Sequence, residues 1–331
     1  MKARLIVLGA VSLAVIIGAL FLANVPPLEV LRVLLKGSFG SPAALAGTVR
    51  ETTPLLLAGL AVYVALRAGL FNIGVEGQFL LGAMGAAIVG LRVHGLAGVG
   101  LGVLAGLACG ALWALPAAAV KAYRNGHEVI TTIMLNNVGA ALALGLLRGP
   151  LKDPDQQSPT TVTLDSSTQL APFLGHPPAA VGWGIVVGLL LVVASAWWLR
   201  RTVAGYELRA AGTNPVAARF AGVNTARVVM AAMCASGAIG GLAGALHVFG
   251  SEHRFYDGFS SGFGFDALGV ALLAGGSPYG LIPSALLFGA LAQGSSGIQI
   301  LGVPKGLTYL ILGLLVLNYA AVRYRRIETH D

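Results

Sequence analysis

Residues 54–91 read PLLLAGLAVYVALRAGLFNIGVEGQFLLGAMGAAIVGL. Two apolar runs flank a short polar interruption in which Asn72, Glu76 and Gln78 stand among glycines. Runs this long without polar alternation predict helices, because the strands of a membrane barrel would alternate polar and apolar positions over short segments. The first run, Pro54 to Leu66, has 13 residues. At about 1.5 Å per residue it covers about 20 Å of a hydrocarbon core about 30 Å thick. Either it begins earlier and carries Arg50 and Glu51 inward, or it belongs to a broken helix. A second interruption, Ala274-Gly-Gly-Ser-Pro-Tyr-Gly280, cuts another apolar run into short pieces. Segments broken by Gly and Pro in both halves of a chain point to a solute path. Hairpin turns between short spans are the competing reading, and the two halves are not similar enough to establish a repeat.

Working outward, similar runs recur along all 331 residues, at about 5–24, 53–67, 70–91, 95–120, 128–147, 179–199, 228–249, 263–276, 281–297 and 306–322. The expectation is an all-α integral membrane protein of about eight to ten transmembrane helices in one domain, 1–331. Residues 149–178 form a loop outside, and the arginine-bearing stretch 200–227 a loop inside. Pro26 to Thr52 is mixed and is expected to be an outer loop with an interfacial helix. Composition agrees: 56% hydrophobic and 10% charged, where a soluble domain carries about 25% charged residues, so lipid must be the solvent for much of the surface. The apolar N-terminal run reads as a retained span rather than a cleaved signal. With that end inside and ten spans, 13 of the 21 Lys and Arg fall inside and 8 outside, which places both termini in the cytoplasm by the positive-inside rule. The net charge of +8 therefore marks membrane topology. No basic stripe interleaved with aromatics suggests nucleic acid.

Carboxylates in a membrane are costly, which singles out Glu76, Glu128 and Asp266. Glu76 either stabilises a helix start or lines a path; Glu128 opens a span beside Lys121 and Arg124; Asp266 is a cap or a gate. Asn136 and Asn137 lie within a span, where they bond across helices or to a polar solute. His247, Glu252, His253 and Asp257 read as a loose polar group near an outer loop, without metal-ligand spacing. Cys109 and Cys234 sit in apolar runs as small packing residues. No catalytic constellation is present, and no G-x-x-x-x-G-K-[ST] phosphate loop, so any ATP is bound by another chain.

Four stretches carry a resemblance: LRAGLFNIGVEGQFLLGA (66–83), EVITTIMLNN (128–137), ELRAAGTNPVAARFAGVN (207–224) and GFDALGVALLAGGSPYGLIPSALLFGAL (264–291). In this order they resemble the nucleoside and simple-sugar permeases of bacterial ABC importers, within the wider branched-chain amino acid and ribose permease family. His127 departs from the pattern, since these permeases more usually have Asn before the Glu-Val-Ile run. The resemblance implies an ABC importer permease fold in the cytoplasmic (inner) membrane and transport of nucleosides or simple sugars. It also implies a cytoplasmic ABC ATPase, a second homologous permease as a heterodimer partner, and an extracytoplasmic solute-binding protein. It assigns Arg209, Gly212, Asn214, Pro215, Ala217, Ala218, Arg219 and Gly222 to a coupling segment that docks on the ATPase. Asn214 followed by Pro215 is also a sound helix start on its own chemistry. Asn72, Glu76, Gln78, Asn136 and Asn137 are the expected polar lining of the path. A secondary transporter driven by an ion gradient is the alternative: it would use the same broken helices and act without partners.

Overall fold

The computed structural model describes residues 26–175 and 180–300, with isolated helical positions within 11–18 and 306–318. Its helices are α1 (Pro27–Phe39), α2 (Pro42–Arg67), α3 (Val75–Gly90), α4 (Gly95–Arg124), α5 (Glu128–Arg148), α6 (Gly184–Arg201), α7 (Val203–Thr213), α8 (Pro215–Phe220), α9 (Thr225–His247), α10 (Phe263–Ala274) and α11 (Leu281–Ile300). Among the described residues six are long and apolar enough to cross a membrane: α2, α4, α5, α6, α9 with its π-helical extension, and α11 with the short turn before it. The expected first and last spans, 5–24 and 306–322, lie mostly outside the described residues. Two isolated positions there are joined, Asn318 donating to the Ser12 hydroxyl at 2.8 Å.

The short run 54–66 is resolved in favour of an earlier start. Ser41 accepts from the Ala44 N–H and Pro42 occupies the first turn, so the helix begins well before Pro54. At 26 residues, or about 39 Å, α2 is long enough to span. It carries Arg50 and Glu51 as the alternative required, and it corrects the expected outer loop over 26–52: the stretch from Pro42 onward is helix.

Layering follows from packing. Of the most apolar stretch of each helix, 72% is buried in α2 and 61% in α9, against 22% in α5, so α2 and α9 form the centre and α5 the rim. Helix α9 packs along α4, α3 and α2, while α11 and α10 cover the other side of α2. The α3–α4–α9 contact is made through glycine. A Cβ added at Gly241 would strike the Gly106 carbonyl oxygen, and one at Gly110 would strike that of Gly237. Small residues let backbones approach closely where no hydrophobic driving force acts between helices in lipid.

Two helices are too short to span. Helix α3 has 16 residues and α10 has 12, about 24 and 18 Å. Helix α3 does not start at a membrane surface, because the Gly77 N–H in its first turn donates to Asn136 Oδ1 at 2.9 Å. Asn136 lies eight residues into α5, about 12 Å along its axis. From there α3 rises to Gly90, beside Leu164 and Phe249. Helix α10 runs the other way, and beyond its end the Gly276 carbonyl accepts from Tyr63 near the close of α2. That end of the bundle also holds Arg67, Arg124, Arg200, Arg201 and Arg219, and is called here the arginine-rich end.

At the opposite end lies the loop expected over 149–178, of which residues 149–175 are described. It docks on the segment after α9: Thr161 N–H donates to the Phe255 carbonyl at 2.8 Å, Leu164 N–H to that of His253, and Asp257 N–H to that of Pro159. Thr160, Thr161 and Thr168 are buried there.

Candidate functional site

The residues 253–262 turn the chain from the end of α9 back into the bundle. His253, Gly258 and Gly262 adopt positive φ, at 56°, 80° and 98°. The turn follows a π-helical stretch, Val248–Glu252. This re-entrant arm brings the N-terminus of α10 against that of α3. Gly262, the residue before α10, has no side chain to cap it. Glu76 of α3 supplies the missing acceptor, its Oε2 taking the Gly264 N–H at 2.8 Å. Two half-helices thus meet head to head at their positive ends, with one carboxylate between them, the arrangement that dipole electrostatics favours. Asp266 lies one turn into α10, half-buried.

The other polar residues of the break hold it in place. Asn72 is fully buried; its Nδ2 donates to Ser236 Oγ at 2.8 Å and to Gln78 Oε1 at 3.0 Å, and its Oδ1 accepts from the Gly74 N–H. Ser236 in turn donates to the Ala61 carbonyl of α2. Asn136 clamps the break from α5, since its amide also donates to the Ile73 carbonyl. Backbone freed from helical pairing at this depth must find such partners. Asn137 stands apart: it is exposed on the outer face of α5 and donates within its own helix, to Ile133. Of the five expected path residues, four converge at the break and Asn137 does not. Glu76 is the one that lines an open cleft, between α5 and the re-entrant arm.

Glu128 pairs with Lys121 at 2.9 Å across the α4–α5 turn. His247, read from sequence as part of an outer polar group, is buried at the end of α9 with Phe259 and Phe263 edge-on at 5.2 and 5.3 Å. It faces Glu252 at 3.7 Å. Sequence reasoning missed this aromatic setting, together with Phe255, Tyr256 and Phe259 of the arm; Gly258 and Gly262 among these aromatics were the available signal.

At the arginine-rich end Asn214 caps α8, its Oδ1 accepting the Val216 and Ala217 N–H groups. Pro215 opens the helix and Gly222, at φ 87°, closes the turn after it. Ala217, Arg219 and Ala221 are exposed, whereas Ala218 is buried against the bundle. Gly212 packs on the backbone of Arg67 to Gly69, and Arg209 reaches back along α7 to the Gly205 carbonyl. The segment is therefore fixed to the end of α2 while α8 presents its outer face.

Residues 44–319 match the family of the branched-chain amino acid transport system permease component. The chain belongs to this family. The guanosine ABC transporter permease protein NupP of Bacillus subtilis is 34% identical over 308 residues, covering 87% of this chain and 84% of the relative. The glucose ABC transporter permease protein TsgB13 of Haloferax volcanii is 34% identical over 310 residues, 90% and 82% of the two chains. The nucleoside ABC transporter permease protein NupB of Lactococcus lactis is 28% identical over 297 residues, 87% and 81%. No solved structure matches. This family member is a multi-pass membrane permease subunit, and membership implies a separate ATPase and a solute-binding protein. The gradient-driven alternative finds no support among these relatives.

Proposed function

We propose that this permease forms, with a second and different permease, the membrane channel of an importer for nucleosides in the bacterial cytoplasmic membrane. The arginine-rich end and both termini then face the cytoplasm, in keeping with the positive-inside rule. What carries the reading is the pairing of two features. Half-helices meet inside the bundle at Glu76, and a capped six-residue helix is anchored to the end of α2 through Gly212. The first is a break that can open; the second is a handle that a soluble partner can grip. In this reading the segment Arg209 to Gly222 seats α8 in a groove of the ATPase, with Ala217 and Ala221 entering it and Arg219 meeting acidic residues. Ala218 serves on the inner side. Glu76 faces the solute, Asn72, Gln78 and Asn136 hold the break, and Asn137 faces the second permease. Nucleosides are favoured by the guanosine and nucleoside relatives. The haloarchaeal glucose relative is equally similar and keeps simple sugars as the second reading. Replacing 214–221 with a Gly/Ser linker tests the coupling assignment. The ATPase is expected to be lost on co-purification while the permease still inserts; an ATPase that stays bound would remove it.

A further inference from the structure

The cleft beside Glu76 has a volume of about 240 Å³ and lies between α5 and the re-entrant arm. Its polar groups are Glu76 and Ser260 at depth and Tyr256 and Asp257 nearer the mouth; Phe255 and Phe259 of the arm face aliphatic side chains of α5. The two phenyl rings are stacked with centroids 4.8 Å apart, so the arm contributes a rigid apolar wall. The mouth continues into a second recess at the end opposite the arginines, lined by Gln156, Ser158 and Arg254 and sharing Tyr256 and Asp257. Asp257 thus stands where recess and cleft meet. Its backbone is fixed there by the bond from its N–H to the Pro159 carbonyl at 3.0 Å, and its side chain is exposed. Tyr256 is held by its hydroxyl, which donates to Glu252 at 3.0 Å.

We propose that this cleft is the solute site contributed by this chain, and that it takes an uncharged nucleoside with Asp257 accepting from the ribose hydroxyls. The proposal rests on the nucleoside-permease reading above and goes beyond it by naming the residues and the solute chemistry. Three observations support it. No Lys or Arg lines the cleft, so a phosphate entering it would be desolvated without the cation such groups require. The available side-chain groups are carboxylates and hydroxyls, and a carboxylate on ribose hydroxyls is a recurrent pairing in nucleotide-cofactor sites. The cleft, at about 240 Å³ and open at its mouth into the second recess, has room for a small polar solute.

The test is a cycle on the complete transporter, with ATPase, second permease and wild-type binding protein, in proteoliposomes. Uptake of radiolabelled adenosine is compared with that of 2′,3′-dideoxyadenosine, for the natural chain and for Asp257→Ala. With the binding protein unchanged, any altered preference arises in the permease. The natural chain is expected to favour adenosine in kcat/KM by about tenfold or more, the size of a lost hydrogen bond to a charged group. Asp257→Ala is expected to lower that preference about tenfold relative to the natural chain, because the same interaction cannot be lost twice. Equal losses for both solutes, or no loss, would overturn the cleft assignment while ATP-driven adenosine uptake left the permease reading standing. A natural chain that moved glucose and no nucleoside would overturn both.

Discussion

Glu76 serves a helix to which it does not belong. Its carboxylate holds an N–H of α10, whose own N-cap residue, Gly262, has no side chain, so truncation removes the acceptor of a backbone donor within the bundle. Such a loss costs about 1–3 kcal/mol. Glu76→Ala is therefore expected to lower the melting temperature of the purified permease. Glu76→Gln, which keeps an acceptor in the same place, is expected to keep most of it. Equal melting temperatures for the two variants would show that the cap carries no load. Ser236 is a second pivot, since it accepts from Asn72 and donates to Ala61. Ser236→Ala removes both bonds and is expected to destabilise the fold by about 1–3 kcal/mol, measured by the same thermal assay. The polar character of this centre was legible in the sequence, because Asn72, Glu76 and Gln78 interrupt apolar runs next to glycines. Their partners were not. Ser236 and Gly264 lie 164 and 188 positions away, and neither residue type announces such a role.

At the scale of elements, α3, α4 and α9 are held by backbone contact rather than by interdigitating side chains. Gly241→Ala is expected to force α9 away from α4, with a cost of about 1–3 kcal/mol for overpacking. Gly145→Ala is the matched control: nothing lies within 4 Å of the added Cβ, and removing a helical glycine contributes about 0.5–1 kcal/mol of stability. Opposite shifts in melting temperature test the packing; parallel shifts would contradict it. The runs that became α4 to α6, α9 and α11 could be read from length and hydropathy, because a bilayer imposes that length; the spans expected at 70–91 and 263–276 are instead the half-helices α3 and α10, too short to cross. The start of α2 could not be read, since Thr48 to Thr53 is polar enough to resemble a loop. In the structure the Thr48, Thr52 and Thr53 hydroxyls satisfy themselves on nearby backbone carbonyls. The order in 149–175 was equally hidden, because it rests on backbone pairing to the arm, which leaves no periodic signature in side chains.

At the scale of the molecule, the two ends differ in chemistry: one gathers arginines around an anchored short helix, the other closes with a threonine-bearing loop over the re-entrant arm. In a background with Cys109 and Cys234 replaced, a cysteine at Ala217 should react with a membrane-impermeant maleimide only from the cytoplasmic side. One at Ser158 should react only from outside. Both positions are exposed, so reversed labelling would invert the proposed orientation. The most direct test of the whole account is nucleoside uptake into vesicles that carry this chain, with and without its ATPase, second permease and binding protein. The account predicts uptake that requires the full set and ATP, and that survives collapse of the ion gradients. Uptake by this chain in isolation, abolished when the gradients are collapsed, would contradict it.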